Sequence, residues 1–404
     1  MKGRVGQLVG TIEASKTAEI QAISKKLQEE GKTVNSALCI GEPDYDPPSQ
    51  VVEAVGEAAK AGHTRYTVVQ GSLDLRKALC TYLESKKGVK YTPDELCVSN
   101  GGKQSIYQAF MAVLDPGDVV LVPTPCWVSY NDITRLCRAE PVAVETTAAG
   151  GYMLTPEALE AALRATGPKC KILVLCNPNN PTGAVLPPAA LEALAAVLRK
   201  PEYEHVFILA DELYEQLVFD TQHVNFASLP GMRDRTLLVG GFAKGWAMTG
   251  FRLGYLAAPQ LVASEVVKLQ SQITSCACSI SQRAGLAALQ DVPAQWFADR
   301  VQELRVKRDF VLGKLREVPG ITCATPEGAF YAFPDLSGCL GPGAKVASGD
   351  EFCKVLLQDY NVALVPGGAF QAPMAVRISY AASMKNLEDA MTAFVACVAA
   401  VRAP

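Results

Sequence analysis

Two apolar runs decide how this chain folds: I-L-V-L-C at 172–176 and V-F-I-L-A at 206–210. Neither alternates between apolar and polar, so each reads as a strand covered on both faces. Between them P-A-A-L-E-A-L-A-A-V-L-R at 188–199 has helical spacing, with its proline suited to a first helical turn. Strand, helix, strand in this order predicts a parallel crossover. The pattern extends outward in both directions. Leu96–Ser99 and Val119–Val122 read as strands, Lys103–Leu114 and Trp127–Cys137 as helices, and Leu237–Val239 and Leu253–Ala257 as two further strands. The expected class is α/β, a mostly parallel central sheet flanked by helices, with ligands beyond the carboxyl ends of the strands.

The two ends of the chain read differently. Ala329–Pro334, Val362–Val365 and Val376–Ser379 look like strands, with helices at Gly349–Gln358 and after Ser383. Lys16–Glu30 reads as one helix stopped by Gly31. A chain of 404 residues is too long for one ordinary core. The expected division is a large domain over 48–295 and a smaller α+β domain built from both ends, 1–47 and 296–404.

Composition excludes several functions. A net charge of -3 offers no basic face for nucleic acid. Three histidines are too few for a histidine-based metal site or triad, and no metal is expected. The thirteen cysteines are scattered and read as reduced thiols. No apolar run reaches membrane-spanning length, and the first ten residues lack a signal core. The expected location is cytoplasmic, or organellar if a transit peptide has been removed.

Four features carry chemistry. S-N-G-G-K-Q-S at 99–105 lies between a strand end and a helix start, where Gly101 and Gly102 let backbone N–H groups approach an anion. It is not a P-loop, and a tight turn explains the glycines equally well. Asn180, in N-P-N-N-P-T-G at 177–183, and Asp211, in A-D-E-L-Y at 210–214, both follow buried strands. A lone aspartate there is often only a helix cap. Lys244 and Arg252 sit in V-G-G-F-A-K-G-W-A-M-T-G-F-R-L-G-Y at 239–255, surroundings too small and apolar for ordinary solvated cations. One carboxylate, one lysine, one arginine and an anion loop suit a cofactor with an aldehyde, a cationic ring nitrogen and a phosphate. Pyridoxal 5'-phosphate fits that description.

Taken together the motifs resemble the class I/II aminotransferases of the type I pyridoxal-phosphate fold, and within them the bacterial-type aspartate and plant-type prephenate aminotransferases. The resemblance spans nearly the whole chain. It runs through G-E-P-D at 41–44, T-R-Y-T at 64–67, N-G-G-K-Q at 100–104, C-W-V-S-Y at 126–130 and the stretches quoted above. It continues through G-A-F-Y at 328–331, V-P-G-G-A-F at 365–370 and R-I-S-Y-A at 377–381.

The resemblance implies roles. Lys244 is the Schiff-base lysine and proton shuttle, and with Asp211 and Tyr214 makes the catalytic set. Asp211 pairs with the ring nitrogen, Asn180 and Tyr214 bond the ring hydroxyl oxygen, and Trp127 stacks on the ring. Gly101, Gly102 and Arg252 hold the phosphate, with Lys103 beside them. Tyr66 reaches the phosphate of a neighbouring subunit, which implies a homodimer with shared sites. Arg377 pairs with the substrate α-carboxylate, and Gly41 lies over the entry. Lys103 contacts the distal carboxylate of acidic substrates, with Ser15 and Thr17 lining that pocket. Two positions depart from the family pattern S-x-S-K: Gly241 and Ala243 replace the serines before the lysine, which touches cofactor affinity.

The implied activity moves an amino group between aspartate or glutamate and 2-oxo acids, 2-oxoglutarate or oxaloacetate, with prephenate (giving arogenate) as a further acceptor. An aromatic, alanine or kynurenine-type aminotransferase is the alternative, favoured if Lys103 points to solvent. A non-catalytic effector-binding domain of a transcription regulator would need a helix-turn-helix module ahead of the fold, and the segment before G-E-P-D reads as one helix.

Overall fold

The computed structural model describes residues 6–12 and 16–402, without the side chains of residues 17, 18 and 21. Its centre is a seven-stranded sheet. The strands are β1 (Leu96–Ser99), β2 (Val119–Thr124), β3 (Glu140–Glu145), β4 (Cys170–Cys176), β5 (Phe207–Asp211), β6 (Thr236–Gly241) and β7 (Gly254–Ala257). Their spatial order is β1-β7-β6-β5-β4-β2-β3. Every neighbouring pair from β6 to β3 is parallel, and only β7 runs against its neighbours.

The reason for the exception is local. A parallel crossover needs a helix-sized connection, and the chain offers a compact loop, 242–253, between β6 and β7. It therefore turns back. Lys244, just past the end of β6, and Arg252, just before β7, are brought to the same edge of the sheet.

Apolar runs cover both faces, as period-two geometry requires. Leu173, Leu175, Ile208, Ala210 and Leu238 pack into one core. Ile172, Val174, Leu209, Leu237 and Val239 pack into another on the opposite face. The helix between β4 and β5, Pro188–Leu198, buries Leu191, Leu194 and Leu198 in the first of these.

The C-terminal part holds a three-stranded antiparallel sheet, β8 (Tyr331–Ala332), β10 (Val376–Ser379) and β9 (Val365–Pro366) in that order. The N-terminal segment joins it: Asn35 bridges Val362, and Leu38 packs in the same core as Ile378 and Phe394. Several expected boundaries shift. The helix read from Trp127 starts at Ser129, leaving Trp127 in the preceding turn. The strand read over Ala329–Pro334 shrinks to β8, and the one read over Val362–Val365 is replaced by β9 at Val365–Pro366, with Val362 keeping only its single bridge to Asn35. The edge strand β3 and the long helix Ala294–Arg316 were not read from the sequence. Among the described residues no helix is long and apolar enough to cross a membrane. All thirteen cysteines are unpaired, and eight of them are buried.

Candidate active site

The carboxyl ends of β1, β2, β4, β5 and β6 converge on one cavity of about 250 Å3. Gly41, Lys103, Trp127, Asn180, Asp211, Tyr214, Lys244 and Arg377 all line it. Gly41 from the N-terminal segment and Arg377 from β10 close the cavity over these strand ends.

Asp211 ends β5 and forms the floor. It is 3% exposed and accepts a 2.6 Å bond from the Tyr130 hydroxyl and a 3.3 Å bond from the Leu213 N–H. Burial pushes its carboxyl up to about 6, only partly offset by those two bonds. No cationic side chain reaches it among the described residues. A buried carboxylate in this state is short of a positive partner.

Lys244 is half-buried, and its Nζ donates to the Gly41 carbonyl at 2.5 Å. Burial first, then the Arg377 guanidinium, pull its ammonium down to about 8. A sizeable neutral fraction therefore exists near neutral pH, which an amine needs if it is to act as nucleophile or base.

Arg377, on β10, is 3% exposed. It donates to Asn180 Oδ1 and to the Cys39 carbonyl, both at 3.1 Å, and stacks over Tyr331 at 4.5 Å. Its Nε has no partner. A buried guanidinium without a carboxylate is a ready bidentate clamp for one. Lys103 is exposed at the rim, yet its ammonium folds back over the Trp127 ring at 4.9 Å instead of extending into solvent. Burial and the nearby Arg252 charge lower its pKa.

The anion loop is built by close approach. Gly101 has φ +90, and a Cβ there would stand 2.5 Å from the Arg252 guanidinium. A Cβ at Gly254 would stand 2.5 Å from the Gly102 nitrogen. Arg252, itself at φ +52, is held by a 2.9 Å bond to the Thr249 carbonyl. The first N–H groups of the helix Gly102–Val113 thus face a guanidinium across a gap only glycine leaves open.

Other expected residues are placed as follows. Tyr214 shares a 2.9 Å bond with the Tyr331 hydroxyl, and Asn180 donates to Tyr214 at 3.5 Å. Tyr66 is not in the cavity: it is 89% exposed. Ser15 lies outside the described residues, as does the side chain of Thr17, whose backbone belongs to the helix Lys16–Glu29. At the two departing positions, Gly241 packs against Leu213 and Ala243 is buried. Sequence reasoning missed Tyr130 and Tyr331. Tyr130 follows Trp127 by three residues, a spacing that puts both on one side of a helical turn.

The donor set fits a ligand with a cationic ring nitrogen, a polar ring substituent and a doubly charged anion. Residues 36–394 match the family described as aminotransferase class I and II. The chain belongs to this family. It is 41% identical over 403 residues to a bifunctional aspartate aminotransferase and glutamate/aspartate-prephenate aminotransferase of Petunia hybrida, covering 98% of this chain and 83% of that one. The crystal structure of the Rhizobium meliloti aspartate aminotransferase superposes with a TM-score of 0.93 at 38% identity, covering 98% and 99% of the two chains. The Thermus thermophilus aspartate aminotransferase with maleate gives 0.90 at 36% identity, covering 97% and 99%. In this aminotransferase the charges line a cavity at the carboxyl ends of the central strands, the side on which open α/β sheets bind ligands.

Proposed function

We propose that this aminotransferase uses pyridoxal 5'-phosphate to move an amino group between aspartate or glutamate and a 2-oxo acid, 2-oxoglutarate or oxaloacetate, with prephenate as a further acceptor. The observation that carries the reading is one amine near pKa 8 facing one buried carboxylate that lacks a cation, in a cavity rimmed by unpaired Arg377 and Lys103.

Gly101, Gly102 and Arg252 would hold the phosphate. Asp211 would receive the ring nitrogen, Asn180 and Tyr214 the ring hydroxyl oxygen, and Trp127 the ring face. Bound there, the cofactor supplies an aldehyde for an amine and a ring that withdraws electrons from the substrate carbon. The chain does the rest. Lys244 takes a proton at Nζ and returns it, with a pKa near working pH. Arg377 orients the substrate through its α-carboxylate. Trp127 and Tyr331 wall the reacting atoms from water.

Acidic substrates are supported by charge. Lys103 adds a second cation to the lining of the cavity that Arg377 also lines, and the Petunia relative is named for aspartate and prephenate. The second reading, an aromatic, alanine or kynurenine-type donor, asks for a Lys103 that points to solvent; the residue is exposed, but its ammonium turns over the Trp127 ring. A homodimer is supported by Tyr66, 89% exposed, with Val68 exposed two residues on. Exposed apolar side chains of this kind suit a protein interface.

A steady-state panel tests the reading: aspartate, glutamate, alanine, phenylalanine and kynurenine against 2-oxoglutarate, oxaloacetate and prephenate. Acidic donors should give the highest kcat/KM. Equal or better rates with neutral donors would remove the substrate assignment. Absence of any visible absorption with pyridoxal phosphate would remove the cofactor.

A further inference from the structure

The turn after β5 is a partition between two cavities. Asp211, Leu213 and Tyr214 line the one in front. Glu215 and Gln216 line a second one behind, of about 450 Å3, together with Lys87, His223 and Trp246. Apolar packing holds the front of the turn, where Tyr214 and Leu217 join the C-terminal core and Leu213 packs against them, but the rear faces open space and polar side chains. There hydrogen bonds have to do it.

The strongest of these come from one helix end. The helix Leu73–Lys87 stops at Gly88, which adopts φ 69. Its last side chain is buried, and the Lys87 ammonium donates to Glu212 at 2.8 Å and to Glu215. Glu212 also accepts from the Asn225 amide at 3.0 Å, while its backbone N–H bonds the Val239 carbonyl at 2.9 Å. Glu215 accepts from the Tyr82 hydroxyl at 2.9 Å and the Gln216 amide at 2.7 Å.

Glu212, Glu215 and His223 lie within 4.8 Å of one another, close enough to hold a metal ion. The Lys87 ammonium already bonds both carboxylates, however, and His223 Nε2 lies 3.2 Å from the Asn177 carbonyl. The cation of this cluster is Lys87, which its two glutamates hold firmly protonated against the effect of burial. A buried ion pair often stabilises a protein no more than apolar packing would. Its value here lies in direction: it pulls the rear of the turn toward a rigid helix end.

We propose that Lys87 is a positioning residue for the reaction. Through Glu212 and Glu215 it fixes the turn whose front carries Asp211 and Tyr214. The inference rests on the functional reading above. Without the ammonium, two buried carboxylates face each other, and the turn relaxes into the rear cavity. Asp211 then loses its alignment with Tyr130 and with the ligand.

The test uses the cofactor-loaded enzyme and the variants Lys87→Met, Glu212→Gln and Glu215→Gln. Lys87→Met should lower kcat on the order of 10- to 100-fold, the effect of a small misplacement far from the chemistry, with KM for aspartate nearly unchanged. The pH midpoint of the cofactor's visible absorption should shift, and the cofactor should dialyse away faster. Either glutamine variant leaves Lys87 one carboxylate, so both should fold. Glu212→Gln, which breaks the contact beside Asp211, should share the kcat loss and the shifted midpoint, and Glu215→Gln should show less of each. A lower melting temperature with wild-type kcat and an unshifted midpoint, in Lys87→Met or in Glu212→Gln, would overturn the inference. A wild-type protein with neither visible absorption nor transamination would instead break the functional reading itself.

Discussion

Asp211 and Glu212 are neighbours in sequence, both buried, and they differ in one respect. Glu212, facing the rear, meets an ammonium at 2.8 Å. Asp211, facing the front, meets a hydroxyl and an N–H but no cation. The same contrast holds for the positive groups. Lys87 at the rear is paired twice, whereas Lys103, Lys244 and Arg377 at the front have no carboxylate within ion-pair distance among the described residues. A fold tolerates unpaired buried charge only at a cost. The front of the turn is where this chain bears it, and that marks the front as a place for a ligand.

The sharpest break of the comparison is Lys244→Ala. It removes both the amine that would bind the cofactor and the proton carrier, so turnover should fall by roughly four orders of magnitude or more. The visible absorption band should vanish with it. A variant with near-normal rates would end the reading of the front as a catalytic site.

Next comes Lys103→Ala. Truncating one partner of a fully desolvated charge pair costs about 2–5 kcal/mol; Lys103 is exposed at the rim, so its loss belongs at or below the low end, roughly 30-fold or less in kcat/KM. The loss should fall on aspartate, glutamate and prephenate and spare alanine and phenylalanine. An equal loss on both classes would mean that Lys103 supports the phosphate loop.

A third experiment sets the two neighbours directly against each other in cofactor-free protein. The Asp211 carboxyl rests at about 6 against an ordinary 3.8. Between those values the folded chain keeps a proton that the unfolded chain releases, so stability falls as pH rises through this window. Above it the cost is constant, at most about 3 kcal/mol. Asp211→Asn should therefore raise the melting temperature at pH 7 and have no such effect below about pH 4. Glu212→Gln should lower it, by about 1.5–3 kcal/mol for one bond to a charged group. Melting curves at the two pH values decide it, and shifts of the same sign would erase the distinction between front and rear.

How much of this contrast was legible beforehand depends on what local sequence encodes. The parallel core was, because I-L-V-L-C and V-F-I-L-A admit only a covered strand. The cavity-lining residues were, because Lys244, Asp211 and Arg377 lie in motifs whose order is that of the family. The pairing of Glu212 with Lys87 was not: 125 residues separate them, and Lys87 reads in sequence as one more basic residue at a helix end. Tyr130 was passed over for the same kind of reason, since its partner Asp211 is 81 residues away. The weak ladders β8 and β9 were drawn too long because apolar runs there report burial, not pairing.

The smallest expected effect concerns Ala243, one of the two positions that depart from the S-x-S-K pattern of the resemblance. Ala243→Ser restores one hydroxyl donor near the anion loop. One hydrogen bond contributes about 1 kcal/mol, so cofactor affinity should tighten by less than about tenfold. Equilibrium dialysis reads this directly. An unchanged affinity would show that Arg252 and the loop amides already satisfy the anion.

The reversed strand β7 has one more consequence. Lys244 leaves the sheet and Arg252 returns to it on adjacent, hydrogen-bonded strands, with Gly241 opposite Gly254 in the ladder. The interval between amine and guanidinium thus starts from the register of the sheet, and the loop completes it through the bond from Arg252 to the Thr249 carbonyl. Within the loop, Trp246 and Met248 anchor the chain in the core. A one-residue slip of β7 along β6 would change the interval at once, moving one end of it by a residue's rise, roughly 3.4 Å. On the proposed reading, a ligand of fixed length makes strand register a condition of binding as well as of folding.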